Sequence, residues 1–170
     1  MSNESPDLEE LLNPSEPLPE RKTPPMPDKT RVLLAEQDAD LIDIITSTVR
    51  TGGLVDEIFT VRDGQEALDF IFHAGKYEGG EGAPRPSLIL LDVKLPRENG
   101  ISVLRKIKAS PELRSIPVVM LSSSESPVDI QSSYAEGASS YVIKPARYGD
   151  LMDRVERLLL YWLQTNALPG

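Results

Sequence analysis

The chain has no cysteine, a single histidine and no apolar run long enough to cross a bilayer. The first absence excludes disulfides, thiolate metal sites and cysteine nucleophiles. The second leaves His73, late in a predicted helix and away from every strand end, which suits neither a ligand nor a phosphodonor. The third excludes a membrane-spanning helix, because all the apolar stretches are strand-sized. Positive charge is also scarce: 18 Lys and Arg face 27 Asp and Glu, for a formal net charge of -9. No basic cluster is present, which opposes nucleic-acid binding. The acidic opening MSNESPDLEE lacks the basic and apolar regions of a secretory signal, so a cytoplasmic location is expected. What remains is a 170-residue chain with 39% hydrophobic residues, enough for one domain with a full core and some tail.

Four apolar runs each end in a reactive polar residue. Arg31 to Ala35 leads into Glu36, Leu88 to Leu91 into Asp92, Val118 to Leu121 into Ser122, and Tyr141 to Ile143 into Lys144-Pro145. Short, nearly continuous apolar runs are the mark of parallel strands covered by helices on both faces. Ligands of open α/β sheets sit beyond the carboxyl ends of such strands. Two carboxylates, a hydroxyl and an ammonium should therefore gather at one sheet edge.

Residues 1 to 28 hold seven of the fifteen prolines and many acids, with Arg21 and Lys22 the only bases. A segment of this composition buries too little apolar surface to offset its ordering entropy, so a disordered extension is expected. Within it Leu8, Leu11 and Leu12 fit one amphipathic turn suited to docking. From residue 29 to 170 strands and helices alternate. Helices are predicted over about 39–51, after Asp63, after Asn99-Gly100, from Pro127 to about Glu136, and over about 148–164, with a second strand over 55–61. Five strands and five helices argue for a doubly wound α/β sandwich of flavodoxin-like (βα)5 type. Right-handed crossovers with one reversal allow the parallel order 2-1-3-4-5, which makes the four polar-ended strands neighbours.

From about Arg31 to Pro169 the chain resembles the receiver domain of two-component response regulators. Leu91-Asp92-Val93-Lys94-Leu95-Pro96 followed by Gly100 is similar to the phosphoacceptor loop of that family. Ser122 is similar to its switch hydroxyl, Tyr141 to its switch aromatic and Lys144-Pro145 to its Lys-Pro pair, which the family joins by a cis bond. The resemblance implies that Asp92 takes a phosphoryl group from the phosphohistidine of a sensor kinase. It further implies Mg²⁺ held by Glu36, Asp92 and the backbone carbonyl of Lys94. Such residue types suit that chemistry, since a divalent cation neutralises charge on carboxylate and phosphoryl oxygens, while an ammonium and a hydroxyl contact the phosphoryl group. The expected role is that of a phosphoacceptor signalling protein, with at most slow self-dephosphorylation, rather than a dedicated enzyme.

One position departs from the family pattern. The second of two adjacent acids after the first strand is Gln37, which retains an oxygen but not the charge. Weaker Mg²⁺ binding is expected, and a pseudo-receiver that acts through contacts alone is the alternative. Asp38 is open to two readings, helix N-cap or substitute carboxylate, and Tyr141 to core packing or switching. A flavodoxin would carry a Ser/Thr/Gly-rich loop after strand 1, and a haloacid dehalogenase its nucleophilic Asp there; Glu36-Gln37-Asp38 matches neither.

The last helix is richer in apolar residues than one core face needs. Leu151, Val155, Leu158, Leu159 and Trp162 fit the sheet-facing side, which leaves Leu160, Tyr161 and Leu163 for a homodimer interface. Tyr161-Trp162-Leu163 followed by Leu168-Pro169 resembles the end of the single-domain regulators that accompany phytochrome kinases. The resemblance implies such a kinase as partner, and output through protein contacts.

Overall fold

A computed structural model describes residues 29–169. The extension expected over 1–28 lies outside the described residues. Five parallel strands, β1 (Arg31–Ala35), β2 (Glu57–Val61), β3 (Leu88–Leu91), β4 (Val118–Ser122) and β5 (Ser140–Ile143), pair in the order β2-β1-β3-β4-β5. The doubly wound α/β fold and its strand order are those expected.

Both faces of the central strands are apolar, and alternate residues serve different layers. Val32, Leu34, Leu88, Leu90, Val119 and Leu121 pack beneath α1 (Ala39–Gly52) and α5 (Tyr148–Leu160). Leu33, Ala35, Ile89, Leu91, Val118 and Met120 pack on the other face, with α2 (Gly64–Phe72) and α3 (Gly100–Ala109). α4 (Pro127–Ala135) follows β4 and contacts β5 and α3. Helix starts follow local chemistry: Asp38, Asp63 and Asn99 each accept hydrogen bonds from first-turn amides, and Pro127 occupies the first turn of α4. β2 begins at Glu57, two residues later than expected, and the Thr30 carbonyl just before β1 accepts the Asp56 and Glu57 amides at 3.0 and 3.2 Å.

The last helix departs from expectation in its final turn. Tyr161–Thr165 widens to a π turn, and Leu163 points into the core with Leu168. Leu163 is 7% exposed, so its expected place in a dimer interface is overturned: this domain buries it itself. Trp162 is only partly buried, while Leu160 and Tyr161 remain exposed as expected.

Candidate functional site

The register of β1 and β3 brings the two acids together. Ala35 lies opposite Leu91, the Asp92 amide donates to the Ala35 carbonyl at 3.1 Å, and Glu36 and Asp92 project from adjacent strand ends. Lys144 arrives from the end of β5, where its amide donates to the Ser122 carbonyl at 2.8 Å. Its ammonium donates to Glu36 Oε2 at 2.6 Å and to Asp92 Oδ2 at 2.7 Å. All three side chains are at most 7% exposed. Burial pushes the Glu36 carboxyl above the ordinary carboxylate range, against hydrogen bonds from Lys144 and the Asp38 amide, and the Asp92 charge adds to the rise. Burial alone would lower the Lys144 ammonium; hydrogen bonds to Asp92 and Glu36 overcome it and hold the group above its ordinary value. The Lys144–Pro145 bond is trans, since no cis peptide occurs among the described residues, and this corrects the expected cis bond. Trans is the intrinsically favoured isomer, and the long lysine side chain spans to both acids from it.

Two glycines set the loop after β3. A Cβ on Gly100 would lie 1.9 Å from the Asp92 carbonyl oxygen, and one on Gly64 would lie 1.9 Å from that of Glu98. Both amides donate into the loop, Gly100 to Val93 at 2.9 Å and Gly64 to Pro96 at 3.1 Å. The phosphoacceptor-like loop is thereby clamped between the starts of α2 and α3. Lys94 places its amide 3.3 Å from Asp92 Oδ1 and turns its carbonyl to the Gln37 side-chain amide at 3.2 Å. Asp38 is the N-cap of α1, its carboxylate accepting from the Asp40 and Leu41 amides, so the capping reading holds over that of a substitute carboxylate.

Ser122 is fully buried at the end of β4, and its hydroxyl accepts from the Ser124 amide at 3.2 Å rather than meeting the acids. Tyr141 packs partly against the core, and its hydroxyl donates to the Ser124 carbonyl at 2.8 Å. Both residues thus hold the same loop. His73 lies at the end of α2, with Nε2 2.8 Å from the Ala83 carbonyl, away from the cleft. The cleft, about 690 Å³, also takes in residues that sequence reasoning passed over: Ser123, Glu125 and Arg154. Arg154 donates to the Ile143 carbonyl at 2.6 Å. Its only sequence signal was a position on α5 between the buried Leu151 and Val155.

The comparisons with known proteins agree with this geometry. The family model for the response regulator receiver domain matches residues 32–156. The chain belongs to the response regulator receiver family. It is 36% identical over 144 residues to response regulator Rcp1 of Synechocystis, covering 85% of this chain and 95% of that protein. It is 39% identical over 140 residues to the probable methanogenesis regulatory protein FilR2 of Methanothrix harundinacea, covering 82% and 87%. Among solved structures, the phosphorylated cyanobacterial phytochrome response regulator RcpA superposes with a TM-score of 0.79 at 37% identity, over 84% of this chain and 99% of that one. The Mn²⁺-bound form of Rcp1 does so with 0.78 at 35%, over 83% and 99%.

The donor set can be tested for a metal. Among the described residues no cluster of three or more His, Cys, Asp or Glu is present. Two buried carboxylates, the Lys94 carbonyl and the Gln37 amide supply hard oxygens only, which suits Mg²⁺ with several retained waters. The residues fit the ion, with one charge fewer than a third acid would give. No helix among the described residues is long and apolar enough to cross a membrane.

Proposed function

We propose that this receiver accepts a phosphoryl group on Asp92 from the phosphohistidine of a sensor kinase and signals through protein contacts. The observation that carries the reading is the buried Glu36–Lys144–Asp92 cluster at the floor of an open cleft. Asp92 Oδ would attack phosphorus, the phosphorus–nitrogen bond would break, and the imidazole would leave. Lys144 holds Asp92 in place and offers its positive charge to the incoming phosphoryl oxygens. Glu36, Asp92 and the Lys94 carbonyl would hold Mg²⁺, with Gln37 as a weakened fourth position. Bound there, the ion would neutralise charge on the acceptor and the transferred group. The Ser122 hydroxyl, by rotating about its χ1 bond, would meet the phosphoryl group and release its hold on the Ser124 amide. Tyr141, bonded to the same loop, would respond, which is its switch role. A kinase of the phytochrome type fits, because RcpA carries that description. A homodimer through Leu160 and Tyr161 of the last helix, and action in the cytoplasm, belong to the same reading, as does a role in signalling rather than dedicated catalysis.

Gln37 favours one alternative, a pseudo-receiver that binds partners without phosphorylation. Phosphoramidate, a small donor with the same phosphorus–nitrogen bond, separates the two. Mg²⁺-dependent gain of one phosphoryl mass supports the acceptor. No gain with either the native chain or Gln37→Asp removes it, and gain with Gln37→Asp alone makes the native chain the pseudo-receiver.

A further inference from the structure

An apolar groove of about 480 Å³ lies at the end of the molecule opposite the cleft, between the C-terminal ends of α2 and α3. Leu68, Phe72 and Ala109 line it together with Asp69 and with Lys106, which is paired to Glu98 at 2.9 Å. Phe72 is 45% exposed although its neighbours Phe70 and Ile71 are core residues. A second hollow of about 250 Å³ continues over Phe72 to Arg85, Pro86 and Leu113. The Arg85 guanidinium donates to the Glu112 carbonyl and to Ser115, and among the described residues no carboxylate lies within ion-pair distance of it.

The chain enters the domain beside this surface. The Arg31 backbone bonds twice to Ser87: its amide donates to the Ser87 hydroxyl at 3.1 Å and its carbonyl accepts the Ser87 amide at 2.8 Å. Ser87 stands two residues beyond Arg85, a lining residue of the second hollow. The segment that precedes Lys29 is therefore joined to the domain close to that hollow.

Its sequence supplies a matching element. The sequence Ser5-Pro6-Asp7 matches a helix-start pattern, a capping hydroxyl followed by proline and an acid. Leu8, Leu11 and Leu12 then fall on one helical face, and Asn13-Pro14 ends the pattern. A helix this short does not hold in water alone, so its leucines need an apolar surface to form it. Residues 13 to 28 hold six prolines, and an extended stretch of that length reaches ~50 Å at about 3.1 Å per residue, well past the ~14 Å radius of gyration of a domain this size.

We propose that the segment Ser5–Asn13 of this same chain docks its leucine face into the groove at Phe72 as a short helix. The absence of native cysteine permits a clean test on the full chain. A nitroxide label on Asn3→Cys should erase the amide NMR signals of Phe72, Ala109 and Arg85 while leaving Tyr148 and Met152 on α5 intact. The double variant Leu11→Ser/Leu12→Ser should restore the erased signals, and so should Phe72→Ser, an exposed position whose change leaves the core whole. No loss, unselective loss, loss that survives Leu11→Ser/Leu12→Ser, or loss seen only between labelled and unlabelled chains in a mixture would each overturn the proposal. The last outcome would assign the groove to a second copy.

Discussion

The centre of the sheet and its β5 edge are built differently. Every residue of β3 and β4 is buried, whereas every residue of β5 is half-exposed and the adjoining α4 buries only Ser133. The exposed apolar side chains Val128, Tyr134 and Tyr148 lie on or beside that edge. The centre holds Glu36 and Asp92 in a geometry that dense packing enforces, and Lys144 reaches both from the end of β5. The edge has little to lose by rearranging, which is what a region read by partners requires. Ser122 belongs to the centre and Tyr141 to the edge, and the Ser124 backbone joins them.

The contrast can be broken most severely at Gly100. Gly100→Ala places a methyl group 1.9 Å from the Asp92 carbonyl, and a loss of ~3 kcal/mol or more is expected in urea unfolding. At the edge, Val128→Ser should stay within about 0.5 kcal/mol. Lys144→Met is next: it leaves two buried carboxylates without their cation, and a loss of about 3 kcal/mol is expected at neutral pH. Its pH dependence sharpens the point. The folded chain keeps the Lys144 proton to higher pH than the unfolded chain, so the stabilisation is full below 10.5 and is lost as pH rises through the raised value. Lys144→Met should lack this alkaline fall. Glu36 shifts in the same direction at lower pH: raised in the fold, it takes up a proton before an ordinary glutamate would. Its contribution therefore grows as pH falls towards 4.5.

Smaller effects test the last helix and the metal site. Leu163→Glu should cost about 2–3 kcal/mol by burying a charge in the core, whereas Leu160→Glu should leave stability unchanged and convert a dimeric mass to a monomeric one in light scattering. Asp38→Ala should cost ~1 kcal/mol as a lost cap and leave Mg²⁺ affinity unaltered in titration. Gln37→Asp should do the reverse, tightening Mg²⁺ with little change in stability.

Much of this was legible because the strands announce themselves. Continuous apolar runs ending in Glu36, Asp92, Ser122 and Lys144 required buried parallel strands, and the one reversal in order then made those ends neighbours. Capping by Asp63 and Asn99 followed from side chains that compete for free amides. Three features were not readable. The π turn at Tyr161–Thr165 depends on how Leu163 and Leu168 fill the space beneath α1 and α5, which no helical period encodes. The need for Gly64 arises from the carbonyl of Glu98, far along the chain, and contact across that separation leaves no local mark. Arg154 shares α5 with Arg157, and only its side-chain direction sets it apart.

The central claim is that Asp92 alone accepts the phosphoryl group. Intact-mass spectrometry after incubation with acetyl phosphate tests it directly, on the native chain and on Asp92→Asn, each with and without Mg²⁺. A single phosphoryl increment on the native chain that requires Mg²⁺ and vanishes in Asp92→Asn is the predicted result. Undiminished labelling of Asp92→Asn, or no labelling of the native chain at saturating Mg²⁺, would contradict it.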